Sequence, residues 1–250
     1  METHSRDGGE TALVFLHHFG GSGRTWSQVI ARLENNFCCI APDLRGFGDS
    51  AAPPRETRFA VDDYADDVAE LVQARGLTRW VLVGHSMGGK IALALAARRP
   101  AGMVSLVLVA PSPPTPEPMT DAARAHLRAS HGDPNAARAI VAMICGDRAL
   151  PARLRERTVA DMLCAAPAAW QAWLDTGSRE NIAERMPAVA VPALVLAGER
   201  DPALPAAVLE REVVSRLTGA SLTVVPGAGH LLPLEAPDVT ARHVREAARA

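Results

Sequence analysis

Short, continuously apolar segments that alternate with helical patterns restrict the fold of this chain more than any other feature. Six such segments predict strands, over residues 12–16, 37–41, 80–83, 104–109, 193–197 and 221–225. None alternates apolar with polar residues, which is typical of strands buried on both faces of a parallel sheet. Between them, helical periodicity predicts helices over 26–33, 61–74, 87–98, 205–217 and 236–248. The order predicts a doubly wound, mainly parallel six-stranded α/β sheet with right-handed crossovers.

The alternation is interrupted once, after the fourth predicted strand. Five prolines lie between Pro111 and Pro118, and such a segment forms neither a helix nor a central strand. The following residues, 120–185, have a helical composition and no convincing strand. Because long connections without a function are uncommon, the pattern predicts a helical lid insertion over 112–186. The sheet core is then expected to consist of 1–111 and 187–250.

Composition excludes several classes of partner. The 250 residues include 26 basic and 28 acidic side chains, with a formal net charge of −2, so nothing favours nucleic acid or an anionic membrane. No apolar run approaches the ~18 residues of a membrane span, and the polar segment 1–10 has no apolar signal-peptide core. We expect a cytoplasmic protein that acts on a small molecule. The oligomeric state is left open.

The four cysteines show neither a disulfide framework nor a metal-binding spacing. Cys38 and Cys39 are adjacent, Cys145 and Cys164 lie far from them, and no CxxC pair occurs. Adjacent residues of a strand point to opposite faces. We therefore expect four small buried hydrophobic side chains and no metal site.

The strongest motif for chemistry is Gly-x-Ser-x-Gly at residues 84–88, between a predicted strand and a predicted helix. In a nucleophile elbow, Gly84 and Gly88 must be small because strand and helix approach closely, and Ser86 is held at the tip of the turn. The helix N-terminus adds backbone N–H groups and a positive dipole end. This setting favours a nucleophilic serine over a glycine-rich turn.

A nucleophilic serine requires a base, and the base requires an orienting acid. His230 follows the last predicted strand, at the sheet edge where catalytic groups gather, and Asp201 follows the strand before it. Glu199 is the alternative acid. His85, beside the serine, is expected to pack under the turn. Surface positions are expected for the remaining candidates His4, His126, His131 and His243.

These motifs resemble the α/β-hydrolase superfamily, in its lidded, esterase-like serine hydrolase branch, over nearly the whole chain apart from the lid. The resemblance is carried by residues 17–22 (His-His-Phe-Gly-Gly-Ser), 42–50 (Pro-Asp-Leu-Arg-Gly-Phe-Gly-Asp-Ser), 84–89 (Gly-His-Ser-Met-Gly-Gly), 198–201 (Gly-Glu-Arg-Asp) and 229–230 (Gly-His). It implies a catalytic triad of Ser86, Asp201 and His230 and no cofactor. It also implies an oxyanion hole formed by the backbone N–H groups of Phe19 and Met87.

The sequence departs from the family pattern in two places. His18 stands where the family usually has glycine, so it must tolerate a glycine-like backbone, and its side chain either contacts substrate or packs. Only about ten residues precede the first strand, so the antiparallel hairpin that the family places there is expected to be reduced or missing. In the lid, four residues either line an apolar acyl pocket or pack against the core: Met143, Met162, Trp170 and Trp173.

The sequence predicts a serine hydrolase that cleaves a carboxylic ester or lactone of a small to medium, largely apolar substrate. Haloalkane dehalogenases and epoxide hydrolases use an aspartate nucleophile, and the tyrosines of epoxide hydrolase lids have no counterpart because the single tyrosine, Tyr64, precedes the lid. A carbon–carbon bond hydrolase, a thioesterase and a cofactor-free haloperoxidase-type enzyme stay open, although carbon–carbon hydrolases usually carry an aromatic residue where this chain has Leu231. A non-catalytic small-molecule receptor is a distant alternative.

Overall fold

A single parallel sheet organises the protein in a computed structural model that describes residues 11–50, 57–146 and 150–249. Its strands are β1 (Ala12–Leu16), β2 (Cys38–Ile40), β3 (Trp80–His85), β4 (Met103–Val109), β5 (Ala193–Gly198) and β6 (Ser221–Val225). They lie in the order β2-β1-β3-β4-β5-β6, and every pairing is parallel. The predicted six-stranded fold is confirmed. The expectation about an N-terminal hairpin concerns residues 1–10, which lie outside the described residues.

Ten α-helices connect or flank the strands in the described parts of the chain. They are α1 (Ser27–Ile30), α2 (Val61–Ala74), α3 (Met87–Ala96), α4 (Asp121–Ala129), α5 (Pro134–Ile144), α6 (Ala152–Cys164), α7 (Pro167–Asp175), α8 (Ala206–Glu212), α9 (Leu232–Glu235) and α10 (Pro237–Arg249). The helix predicted over 205–217 is shorter than expected, because α8 ends at Glu212 and a 3-10 turn follows at Val214–Arg216. The two β-branched residues Val213 and Val214 lower helix propensity at this point.

The two faces of the sheet bury separate apolar clusters, because successive side chains of a strand point to opposite faces. From β1, Leu13 and Phe15 pack with Trp26 and α10 on one face. Val14 and Leu16 pack with α2 and α3 on the other. This double cover gives the central strands the continuously apolar sequences seen above.

The edge strands differ from the prediction of burial on both faces. In β6, Val224 is 43% exposed and Ser221 is exposed, and Cys38 and Cys39 in β2 are only partly buried. An edge strand has a neighbour on one side only, so part of its surface meets solvent. The expectation of four buried thiols is therefore wrong: Cys145 is also partly buried, and Cys164 is exposed.

Four helices, α4 to α7, lie between β4 and β5, and the proline-rich segment before them is neither helix nor strand. Helix α6 is tied to the loop after β1 by the buried carboxylate of Asp161. This group accepts hydrogen bonds from Ser22 Oγ at 2.8 Å and Arg24 Nη2 at 2.7 Å. The division into a core and an insertion at 112–186 stays a prediction. Among the described helices, none has the length and apolar character needed to span a bilayer.

Candidate active site

The turn from β3 to α3 holds Ser86 in a strained backbone conformation, with φ of 52° and ψ of −117°. A side chain at Gly84 would place its Cβ 2.4 Å from the carbonyl oxygen of Gly88, and one at Gly88 would lie 2.6 Å from that of Leu16. Both positions therefore require glycine. The Ser86 N–H donates to the Val109 carbonyl at 3.0 Å, which braces the turn against β4. This is the elbow geometry that the motif predicted.

The structure brings together the three side chains proposed from the sequence. The Nε2 atom of His230 lies 2.9 Å from Ser86 Oγ, and its Nδ1 lies 2.7 Å from Asp201 Oδ2. The other Asp201 oxygen accepts the backbone N–H groups of Ala203 and Leu204 at 2.8 and 3.0 Å. All three side chains are buried. Such a relay can take the hydroxyl proton of the serine and stabilise the resulting imidazolium.

Electrostatics favour this arrangement. Burial disfavours the imidazolium of His230, but the charge and hydrogen bond of Asp201 outweigh it, with contributions from Glu117 and Glu235, so the pKa of His230 is raised. For Asp201, burial opposes ionisation, yet His230 and two backbone donors hold the pKa of the carboxyl below its ordinary value. The acid therefore stays ionised while the histidine exchanges protons.

Glu199, the alternative acid, does not contact the histidine ring. Its Oε2 accepts the Gly227 N–H at 2.9 Å, and its side chain is about half exposed. This bond fastens the loop after β5 to the turn after β6. The geometry thus assigns the contact with His230 to Asp201.

A residue that the sequence analysis did not single out holds the histidine loop. The carboxylate of Glu235 accepts the N–H groups of Gly146 and Gly229 at 2.8 Å and that of Leu231 at 2.9 Å. Two of these donors flank His230, and the third belongs to the segment after α5. The signal was available, because Glu235 is the lone charged residue in the otherwise apolar run from 231 to 236 that follows His230.

His85 packs under the elbow, as expected. Its Nε2 hydrogen-bonds the carbonyl oxygen of His230 at 2.8 Å, and its ring lies 6.1 Å from that of Trp26, centroid to centroid. Burial lowers the pKa of His85 well below its ordinary value, so the ring is neutral at pH 7. Its Nε2 therefore donates to the carbonyl and helps to hold the loop of His230.

The expectation of a glycine-like backbone at His18 is wrong. Among described non-glycine residues, positive φ angles occur at Ser86, Arg99 and Ala110 and not at His18. Space for its ring comes instead from Gly21, where a Cβ would lie 2.6 Å from the imidazole. The His18 side chain lines the cavity above Ser86. Neither ring nitrogen has a hydrogen-bond partner among the described residues.

The two backbone groups proposed for an oxyanion hole belong to the segments that follow two paired strands, β1 and β3. Met87 is the first residue of α3, so its N–H is among those without an intrahelical acceptor. Phe19 follows His18 in the loop after β1, and its ring packs 4.2 Å from that of Trp170, centroid to centroid. The oxyanion role of these N–H groups stays a prediction.

A cavity of about 330 Å³ opens above Ser86 and His230. Its walls are mainly apolar, and they include all four residues considered from the sequence of the insertion: Met143, Met162, Trp170 and Trp173. Trp170 and Trp173 are almost fully buried, whereas Met143 is 61% exposed. Among the described lining residues, Glu117 is the one carboxylate, and there is no lysine or arginine.

The described residues contain no group of three or more His, Cys, Asp or Glu side chains that could hold a metal ion.

A serine at a strand–helix elbow, joined to a histidine and an aspartate at the carboxyl edge of a parallel sheet, defines a class of α/β enzymes. The chain belongs to the alpha/beta hydrolase family, whose model matches residues 13–243, and it is a hydrolase. It is 28% identical over 242 residues to the 2-(acetamidomethylene)succinate hydrolase of Mesorhizobium japonicum, spanning 93% of this chain and 86% of that protein.

Two solved structures show the same similarity in three dimensions. The bromoperoxidase from Bacillus anthracis has a TM-score of 0.89 at 18% identity, covering 100% of this chain and 94% of that one. A thermophilic esterase from Thermogutta terrifontis has a TM-score of 0.82 at 28% identity, covering 97% and 90%. At 18% identity, the similarity to the bromoperoxidase shows the fold alone.

Proposed function

We propose that the protein hydrolyses a carboxylic ester or lactone of a small to medium, largely apolar substrate through an acyl-enzyme. The observation that carries this proposal is the hydrogen bond of 2.9 Å between Ser86 Oγ and His230 Nε2 at the base of an apolar cavity. The 28% identical esterase noted above supports ester chemistry. A lactone is an internal ester and follows the same steps.

In the proposed reaction, Ser86 Oγ attacks the ester carbonyl carbon while His230 Nε2 accepts the hydroxyl proton. Asp201 holds the tautomer of His230 and stabilises the imidazolium. The oxyanion accepts hydrogen bonds from the N–H groups of Phe19 and Met87. When the carbon–oxygen bond breaks, the imidazolium gives its proton to the leaving alcohol, and a water molecule, activated by His230, then hydrolyses the acyl-Ser86 ester.

The cavity distinguishes this substrate class from that of one relative. The hydrolase from Mesorhizobium japonicum acts, by its name, on a succinate, and a dicarboxylate in a partly desolvated cavity needs cationic partners. The described lining here offers Glu117 and neither lysine nor arginine. We therefore propose an uncharged substrate, with the insertion 112–186 acting as a lid that limits the access of bulk solvent to the cavity.

Fluorophosphonate labelling combined with a panel of 4-nitrophenyl esters from acetate to decanoate tests the proposal. Wild-type protein is expected to be labelled at Ser86 and to turn over the shorter esters. Ser86→Ala is expected to lose both, with kcat lower by at least about 10⁴-fold. Ser215→Ala, at an exposed helix-end serine, is the matched control and should behave as wild type.

Three outcomes would overturn parts of the proposal. Absence of label at Ser86 in folded protein would remove the nucleophile assignment. Unchanged turnover in Asp201→Asn would move the acid role to Glu199. A carbon–carbon substrate, such as a ring-fission dienone, cleaved faster than every ester would replace ester hydrolysis by the carbon–carbon alternative.

A further inference from the structure

Glu117 lies in the same cavity as Ser86 and His230, and the proposed reaction gives it no role. Its backbone is firmly held: its N–H donates to the Ser178 carbonyl at 2.8 Å. Prolines 116 and 118 flank it and restrict the chain on both sides. The carboxylate therefore stands on a stiff segment of the cavity wall.

Two buried cations accompany this carboxylate, and neither lines the cavity. Lys90 is fully buried, and its Nζ donates to the Thr115 carbonyl at 3.2 Å. Arg124 is also buried, and its guanidinium donates to the Leu174 carbonyl at 3.0 Å. Burial raises the pKa of Glu117, while Lys90 and Arg124 oppose that shift by favouring the charged form. The net shift of the pKa is still upward, so these cations offset only part of the cost of a carboxylate in an apolar wall.

The few charged groups near the cavity limit which substrate group fits beside Glu117. A second carboxylate would be repelled, since the described lining supplies no lysine or arginine to compensate it. An ammonium group would add a third cation near one carboxylate whose charge Lys90 and Arg124 already favour. A neutral hydroxyl or amide N–H donates to the carboxylate without changing the net charge, and charged acceptors form the stronger hydrogen bonds.

We propose that Glu117 is a specificity determinant that selects esters and lactones carrying a neutral hydroxyl or amide N–H donor and rejects esters carrying a second, ionised carboxylate. This inference rests on the proposed ester hydrolysis. It adds a polar requirement to a cavity that the sequence had suggested to be simply apolar.

Three methyl esters of matched length test the inference: methyl hexanoate, methyl 3-hydroxyhexanoate and monomethyl adipate, with methanol release as the assay. For the wild type we expect kcat/KM for the hydroxy ester to exceed that for methyl hexanoate about tenfold. This is the factor that one hydrogen bond to a charged acceptor typically contributes. Monomethyl adipate should fall below hexanoate by at least the same factor. Glu117→Gln should raise the adipate-to-hexanoate ratio about tenfold and lower the hydroxy-to-hexanoate ratio.

Two further variants keep the test decisive. Glu117→Asp preserves the charge but retracts it by one methylene, so adipate rejection should persist while the hydroxy preference falls. Glu156 on α6 is a half-exposed carboxylate that pairs with Arg138 on α5. Its replacement, Glu156→Gln, should retain both wild-type ratios. Circular dichroism of each variant verifies folding.

Failure of this inference is distinguishable from failure of the proposed function. If methyl hexanoate is hydrolysed but the three esters react alike, and the ratios are the same in Glu117→Gln, the role of Glu117 is refuted and ester hydrolysis stands. If no ester reacts, ester hydrolysis is refuted. Calorimetric binding of methyl 3-hydroxyhexanoate and methyl hexanoate to inactive Ser86→Ala then decides the role of Glu117, and equal affinities would overturn it.

Discussion

Replacing Glu235 by glutamine is expected to weaken both the fold and the proposed catalysis, because one buried carboxylate holds three backbone N–H groups. Its Oε2 accepts the N–H groups of Gly146 and Gly229, and its Oε1 accepts that of Leu231. In Glu235→Gln, one oxygen remains as a neutral acceptor for two donors. The new NH₂ group faces the third donor, so a buried N–H is left unpaired.

The magnitude follows from these contacts. An unpaired buried N–H costs about 1–3 kcal/mol, and two bonds that change from a charged to a neutral acceptor lose about 0.5–1 kcal/mol each. Glu235→Gln should therefore lower the free energy of unfolding by about 2–5 kcal/mol. In a protein of this size that corresponds to a fall in Tm of roughly 4–20 °C. Displacement of the His230 ring should lower kcat/KM about 10- to 100-fold.

Calorimetry and ester hydrolysis at 25 °C measure the two effects separately. Glu210→Gln is the matched control, because Glu210 is exposed on α8 and its replacement should change the free energy of unfolding by less than about 0.5 kcal/mol. If Glu235→Gln unfolds at the wild-type temperature, the hydrogen-bond argument is refuted. A lower Tm with wild-type kcat/KM would show that Glu235 supports the fold and does not position His230.

Three other predictions concern the elbow, the histidine and the insertion. Gly88→Ala should lower the free energy of unfolding by about 1–3 kcal/mol, since its Cβ would lie 2.6 Å from the Leu16 carbonyl oxygen; wild-type denaturant stability would contradict the elbow packing. The pKa of His230 is raised above its ordinary 6.5, and only the neutral ring accepts a proton. As the pH falls, kcat/KM should therefore decline with a midpoint above pH 6.5. A decline that begins only below pH 6.5 would contradict this electrostatic account. Asp161→Asn, which weakens the buried bond from Ser22, should cost about 1–3 kcal/mol in chemical unfolding, and no loss would show that this contact does not stabilise the insertion.

Much of the architecture was predictable from local pattern. Continuous apolar runs identify strands that are covered on both faces, and this rule located all six strands to within a few residues. Gly84 and Gly88 around Ser86 identify the elbow, since only glycine leaves room for strand and helix to meet. For the edge strands β2 and β6 the rule predicted the position correctly but the burial wrongly. Exposure at an edge depends on the absence of a neighbouring strand, and the sequence of a single strand does not encode that absence.

What the sequence determined by itself is the sheet, the elbow and the candidates Ser86, His230 and Asp201, because these follow from periodicity and from position at strand ends. The tertiary structure decided between Asp201 and Glu199, because both follow the same strand and only the folded loop brings one of them to the His230 ring. It also revealed Glu235, which joins the loop of His230 to the distant Gly146, and Glu117, whose N–H donates to the distant Ser178. Such contacts depend on how loops from separate strands meet at one edge of the sheet, and no local pattern specifies that meeting.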